Sequence, residues 1–138
     1  MERIMTLLRE KNNHLEKFYW VNEQELINFG VGNFETIERF YEARDQILNT
    51  IRNLDVFIEE AHDRAVGQVT AELRSELRAI LEGKDQLVKS ILAQDLQILS
   101  YIEREKSNII RELKANSQVK KAVGAYANSE RLKHLDQD

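Results

Sequence analysis

Two short motifs contain residue types that could do chemistry, and the first has the spacing of a metal site. Glu59 and His62 form the Glu-x-x-His pattern that di-iron helical bundles use. Such a site needs two of these motifs and two further glutamates facing inward. Of the histidines in the chain, only His62 has a glutamate three residues before it. Because Ile58 and Ala61 are expected on a packing face, Glu59 and His62 lie at its edge, and we expect no metal site.

The second motif is Gly30-x-Gly32, within the stretch FGVGN. A phosphate-binding glycine loop follows a β-strand and has a third glycine at a fixed offset. Here the preceding residues have helical periodicity, and that third glycine is missing. Gly30 suits the left-handed end of one helix and Asn33 suits the N-cap of the next. The motif therefore predicts a corner between two helices, and we expect no catalytic residues and no cofactor.

The composition points to long helices. The chain has 138 residues, no proline and no cysteine, and 32% of its residues are charged. This mixture is typical of one domain made of long helices or a coiled coil. The net charge of −4 gives no general attraction to nucleic acid. The charged N-terminal stretch is unlike a signal peptide and no long apolar run follows, so we expect a soluble, cytoplasmic protein without membrane insertion.

The first predicted helix has two apolar faces. Trp20 projects nearly opposite Phe18, and Ile27 follows Trp20 on the same outer face. Trp20 and Ile27 therefore form a second strip, which either another helix of the chain or a partner could cover. Lys11 and Asn22 interrupt the main row. That row consists of Ile4, Leu8, Leu15, Phe18, Leu26 and Phe29.

The second helix has the most regular pattern, with steps of three and four and a single charged member, Arg44. After Ala65 the steps lengthen, and Gly67 lies at the change. The helix either runs through to residue 82 or breaks near Gly67. Gly83 predicts the next corner, before a third long helix that ends near residue 116. The regular row of the second helix is Ile37, Phe40, Arg44, Ile47, Ile51, Leu54, Ile58, Ala61 and Ala65.

The predicted fold is therefore all-α. Residues 1–116 are expected to form an antiparallel bundle of three long helices, or four if the second breaks near Gly67. Residues 117–138 are expected to be a mobile C-terminal segment with a short, conditional helix. Val119, Val123 and Tyr126 would line successive turns of that helix.

The stretch LINFGVGNFETIERFYEARDQILNTI resembles the first hairpin of flagellar export chaperones of the FlgN/FliT type. Those small all-helical proteins have a long first helix, a short turn with Gly-Asp or Gly-Asn beside an apolar residue, and an arginine a few turns into the next helix. Here these features are Gly32, Asn33, Phe34 and Arg44. The segment ILAQDLQILSYIEREKSNIIRELK is similar to the family's last long helix, and the basic tail before Tyr126 is similar to that of many members. The resemblance covers roughly residues 1 to 126 and includes no catalytic signature.

The resemblance implies a cytoplasmic chaperone of flagellar type III export and not an enzyme. Such chaperones bind the C-terminal helical region of a secreted axial protein, either a hook–filament junction protein or the filament cap protein. They prevent its premature assembly and deliver it to the export gate, and the recognition mode is a helix held in a groove. The resemblance gives a client-binding role to Val119, Val123 and Tyr126, and the helical projection adds Trp20 and Ile27. The alternative is a self-associating structural coiled-coil or tether protein with no client, and a homodimer is compatible with both.

Overall fold

The predicted all-α fold is confirmed, with three helices in the described part of the chain. The computed structural model describes residues 1–65, 67 and 69–136, with the side chains of residues 131–136 left aside. The helices are α1 (Glu2–Gly30), α2 (Ile37–Asp63) and α3 (Ala71–Asp136). Over the described residues, no helix is long and apolar enough to cross a lipid bilayer. Residues 1–99 and 100–138 form two compact units.

Polar contacts in the first unit give the directions of the three helices. Lys11 near the start of α1 contacts Asp55 near the end of α2, so α1 and α2 are antiparallel. The side chain of Asn12 donates to the carbonyl of Ile80, whereas that of Asn22 donates to Gln94. Contacts therefore advance in the same direction along α1 and α3, and these two helices are parallel. The first unit thus has an up-down-up arrangement.

All three helices contribute to one apolar core. Leu15 and Phe18 of α1, Ile51 of α2 and Ile91 of α3 are buried together. Half-buried apolar residues surround this cluster. The predicted rows of α1 and α2 are confirmed, because the buried residues include Ile4 and Phe29 of α1 and Phe40 and Leu54 of α2. Burial of such side chains is the main source of stability for helices that would be marginal alone. The half-buried neighbours of the cluster are Tyr19, Ile47, Leu48, Leu87 and Val88.

The predicted corner between the first two helices is confirmed, but its details differ. Gly32, and not Gly30, has the left-handed conformation, with φ at +79°. The N–H of Gly32 donates to the carbonyl of Phe29, and the N–H of Asn33 donates to that of Asn28. This pair of bonds is a Schellman motif, which places the left-handed residue two positions later than the sequence pattern suggested. Phe34 then stacks on Phe29, with ring centroids 4.7 Å apart.

The predicted role of Asn33 as an N-cap is wrong, because α2 begins three residues later than that role requires. The side-chain oxygen of Asn33 accepts from the N–H of Glu35, which stabilises the turn before the helix. Thr36 precedes α2, and its hydroxyl donates to the buried carboxylate of Glu25 at 2.7 Å. Asn28 donates to the same hydroxyl. The first corner is therefore held by side chains of α1 as well as by its backbone.

The second corner lies near Gly67. Helix α2 ends at Asp63 and α3 begins at Ala71, so the second helix does not continue to residue 82. Gly67 has φ at +120°, a conformation that residues with a Cβ rarely adopt. At about 1.5 Å per residue, α1 and α2 have similar lengths of roughly 44 Å and 41 Å. The chain therefore folds back where α1 stops supplying a packing surface.

The predicted corner at Gly83 is wrong, because Gly83 lies inside α3. A glycine in a helix costs about 1 kcal/mol relative to alanine, which is a weak signal against tertiary packing. Asn12 of α1 lies close to this turn of α3, and a Cβ built on Gly83 would be 3.7 Å from its Nδ2 atom. This is ordinary van der Waals contact. Three helices are present, as expected, because the break at Gly67 replaces the one expected at Gly83.

These two glycines should respond to alanine in opposite directions. Gly83→Ala should raise the free energy of unfolding by about 0.5–1 kcal/mol, because alanine is the better helix former and the added Cβ has room. Gly67→Ala should lower it by at least about 1 kcal/mol, because alanine is strained at this positive φ. Urea denaturation followed by circular dichroism measures both. Destabilisation by Gly83→Ala would mean that this turn of α3 is packed differently.

The second unit contains the remainder of α3. The helix is uninterrupted at residues 116 and 117, so the expected helix end near 116 is wrong and the tail is continuous helix to Asp136. Frequent Lys, Arg, Glu, Leu and Ala residues favour helix enough to outweigh Gly124. The chain divides into its two units between Leu99 and Ser100, and the predicted domain boundary at 116 stays a prediction. The mobility of residues 117–138 stays a prediction, and its last two residues lie outside the described part.

Candidate helix-binding site

An open apolar hollow lies between α2 and α3 in the first unit. Its floor is formed by Leu15 and Phe18 of α1, and its volume is about 300 Å³. Leu92 lines it although 58% of its surface is exposed. The two walls are formed by Leu48 and Ile51 of α2, and by Val88, Ile91 and Leu92 of α3.

A second apolar hollow, of about 390 Å³, follows along the same three helices. Its floor is Ile4 and Leu8, earlier in α1, and Ile58 lies on the α2 side. Leu77 and Leu81 lie on the α3 side. From Ile4 to Phe18 the floor extends about 21 Å at the helical rise. We call the two hollows together the α2–α3 groove, and its position is the one that a fourth helix would take in a four-helix bundle.

Arg44, the charged member of the α2 row, lies at the wall of the groove. Its guanidinium carbon is 4.8 Å from the ring centroid of Phe18 and 5.1 Å from that of Phe40. Its Nη2 atom is 3.4 Å from Oδ1 of Asp95, and the Arg44 side chain is only 19% exposed. Stacking and the ion pair explain how a cation is accommodated in an apolar row. Both Arg44 and Asp95 line the first hollow.

Behind Asp95, a polar network joins α1 to α3. Asn22 is completely buried, and its amide donates to Gln94 and to Asp95, each at 3.2 Å. Gln94 in turn donates to the carbonyl of Tyr19 and to the carboxylate of Glu23. Because buried polar groups are costly unless paired, this network favours one register between α1 and α3. The interruption of the α1 row at Asn22 is thus explained by its contact with α3.

The other interruption of the α1 row, Lys11, has a similar explanation. Its ammonium group donates to Asp55 at 2.6 Å, and Asp55 lines the second hollow. Glu59 and His62 line the same hollow at its end. Among the described residues, no three His, Asp or Glu side chains come together as metal ligands would.

The structure places Trp20 and Ile27 on the outer face of α1. They are 61% and 59% exposed, so the described residues of the chain leave much of this strip uncovered. Trp20 packs edge-on against Tyr19, with ring centroids 5.4 Å apart. It also borders a shallow hollow of about 410 Å³ between α1 and α3, together with Leu87. Trp20 and Ile27 therefore form a surface distinct from the α2–α3 groove, and their client-binding role stays a prediction.

In the second unit, Val119, Val123 and Tyr126 lie on one side of α3 at helical spacing. Each is between 61% and 69% exposed. Their helical alignment agrees with the sequence pattern, and their role in client binding stays a prediction. Further exposed apolar side chains of the same unit are Ile109, Ile110 and Leu113.

Alanine at these three tail positions tests that role. If Val119, Val123 and Tyr126 contact a client, the triple alanine variant should bind the client segment about tenfold or more weakly, since it loses apolar contact area. Its thermal unfolding should change little, because all three side chains are exposed. Calorimetric titration of the wild type and the variant measures the difference. Unchanged affinity would remove the tail from the site.

The groove was not predicted from the sequence, although its residues Leu15, Phe18 and Ile51 belong to the predicted apolar rows of α1 and α2. The signal was the occurrence of adjacent apolar pairs, Ile47-Leu48, Leu87-Val88 and Ile91-Leu92. Neighbouring residues on a helix are about 100° apart, so such pairs widen the apolar face beyond what one packing partner covers. Wide faces on two helices over a shared floor indicate room for another helix.

Comparison of the chain with protein-family models, with curated proteins and with solved structures gives no significant match. The geometry of the first unit is therefore the basis for assigning a function.

Proposed function

We propose that this chain is a cytoplasmic chaperone of flagellar type III export that holds the C-terminal helical region of a secreted axial protein and prevents its premature assembly. The observation that carries the proposal is the α2–α3 groove, two open apolar hollows with helices as floor and walls. An amphipathic helix placed in it would complete a four-helix bundle. The resemblance of residues 1–126 to export chaperones then suggests which class of helix is bound.

The character of the groove fits reversible holding of a client. Leu92 and Leu81 are exposed at its edge, so bound and free states differ in apolar area removed from water. A hook–filament junction protein or the filament cap protein has a helical region that would otherwise self-assemble, and covering its apolar face blocks assembly. Delivery to the export gate follows as part of the same proposal.

Calorimetric titration of the full chain with C-terminal segments of the junction and cap proteins tests this function. We expect micromolar or tighter binding to one segment and none to the others. Absence of binding to every segment would contradict the proposal.

A second function has its own supporting observation. Leu92, Leu96 and Leu99 are exposed and lie at positions i, i+4 and i+7 of α3, which is the spacing of a coiled-coil seam. A self-associating structural or tether protein would cover this stripe with a second copy. Light scattering across a dilution series separates the two functions. A concentration-dependent mass with loss of helicity on dilution would favour self-association, because stability would then depend on protein concentration.

A further inference from the structure

We infer that Arg44 and Asp95 together recognise, by hydrogen bonds, a side-chain amide on the helix that occupies the α2–α3 groove. The occupant would be an amphipathic helix whose apolar row includes one Asn or Gln. This inference rests on the proposed function, since it takes the groove to hold a partner's helix.

Arg44 has unused hydrogen-bonding capacity. A guanidinium has five N–H donors. Within the described part of the chain, the only polar contact of Arg44 is its 3.4 Å ion pair with Asp95, which is longer than a good charge-assisted hydrogen bond. The guanidinium carbon lies over the rings of Phe18 and Phe40, and these rings offer no oxygen or nitrogen acceptor to its N–H groups. With its side chain 19% exposed, Arg44 therefore brings unused donors to the wall of an apolar groove.

The opposite charges of Arg44 and Asp95 disfavour a charged side chain on the bound helix. Arg44 and Asp95 together are neutral, and both line the same hollow. An aspartate or glutamate on the incoming helix would contact Arg44 but would lie beside Asp95 in an apolar site. A lysine would have the same difficulty with Arg44, because like charges in a poorly solvated site are unfavourable. A neutral group adds no net charge.

The donors of Arg44 need a polar partner once a helix occupies the groove. An aliphatic side chain would cover Arg44, remove its remaining water and leave its donors unpaired, which is costly. A side-chain amide has a carbonyl that accepts from Arg44 and an NH₂ group that donates to the Asp95 carboxylate. Asp95 already accepts from Asn22, which holds the carboxylate in place from behind. The pair is therefore preorganised to bind one neutral donor–acceptor group. Such a contact would fix the register of the bound helix, as a single polar core residue does in coiled coils.

A displayed helix library tests the inference with the full chain. The probe is a yeast-displayed set of amphipathic helices about four heptads long, with aliphatic residues at the core positions and one central core position fully randomised. After selection on the wild-type chain, we expect Asn and Gln at that position to be enriched about tenfold or more over Leu, the factor expected for a hydrogen bond to a charged group. Enrichment of aliphatic, acidic or basic residues would overturn the inference.

A variant chain provides the matched comparison. In Arg44→Leu/Asp95→Leu both members of the pair become apolar, and such replacements often preserve folding. On this variant the preference should move to Leu. If the double variant is unfolded by circular dichroism, Arg44→Met/Asp95→Met, which also removes both charges, provides the same comparison. A persisting amide preference in a folded variant would overturn the inference.

The outcomes separate this inference from the proposed function. If binders depend on Leu92 but prefer Leu at the randomised position, the groove still binds a helix, but amide recognition by Arg44 and Asp95 is refuted. Selection that yields no binder sensitive to Leu92→Glu would refute both. Amide preference in the library, with no binding of flagellar segments by calorimetry, would support the inference and refute the flagellar function.

Discussion

Replacing Leu92 by glutamate should weaken binding of a client segment by about 100-fold. Leu92 lines the α2–α3 groove and is more than half exposed in the free chain, so a bound helix would cover apolar surface that is now in water. Covering a leucine contributes about 1.5–3 kcal/mol. A carboxylate there would also be desolvated beside Asp95, which adds to the loss. Calorimetric titration with the client segment measures the change.

Val56→Glu is the matched control for this variant. Val56 is an exposed apolar residue of α2, and it lines neither hollow of the groove. Its replacement should change the affinity less than about threefold, because surface substitutions rarely have large effects. Both variants should keep the wild-type helicity. Equal effects of the two substitutions would contradict the placement of the client in the groove.

Replacing Phe18 by alanine should lower the free energy of unfolding by about 3–5 kcal/mol, the range for truncating a buried aromatic side chain. Phe18 is 4% exposed, belongs to the core cluster and supports the guanidinium of Arg44. Its loss removes the floor of the first hollow together with the stacking surface for Arg44. Urea denaturation measures the loss. If the alanine variant does not fold, Phe18→Leu is measured instead, and its loss of stability should be smaller.

Phe57→Ala is the control for the stability prediction. Phe57 is a phenylalanine of α2 that is 47% exposed, so its truncation should cost less than about 1 kcal/mol. If the two alanine variants lost similar amounts of unfolding free energy, the placement of Phe18 in the core would be contradicted.

The helical class and the first corner could be predicted because they depend on local patterns. The α1 and α2 rows follow a strict helical period, and Gly32 with Asn33 mark a turn that no regular helix allows. The exact residue with positive φ was missed by two positions, because both Gly30 and Gly32 are compatible with a helix end. The choice between them depends on the hydrogen bonds of the Schellman motif, which periodicity does not encode.

The second corner was harder, because two glycines competed for it. Helix α3 continues through Gly83, where an added Cβ would be in ordinary contact with Asn12. Gly67, in contrast, has a positive φ. Nothing local to either glycine distinguishes these cases. The decisive factor is tertiary, because α3 can pack along the whole of α1 only if α2 ends beside the start of α1.

The candidate site was the least predictable part. Trp20 and Val123 could be recognised as candidate contact residues from the helical projection of their own segments alone. The groove requires knowing that α2 and α3 lie side by side over α1, so that Leu48 and Leu92 face a common space. Similarly, Arg44 and Asp95 are far apart in sequence, and only the parallel pairing of α1 and α3 brings Asp95 to the α2 row.

Photo-crosslinking from single cysteines shows whether the client lies in the α2–α3 groove. The chain has no cysteine, so each introduced thiol is a unique attachment site for a benzophenone maleimide. The positions are Leu92→Cys in the groove, Trp20→Cys on the outer face of α1 and Val123→Cys in the tail. We expect a bound client segment to crosslink strongly to the groove position. Crosslinks only at the Trp20 or Val123 positions, with a Leu92→Cys variant that still binds the client, would contradict it.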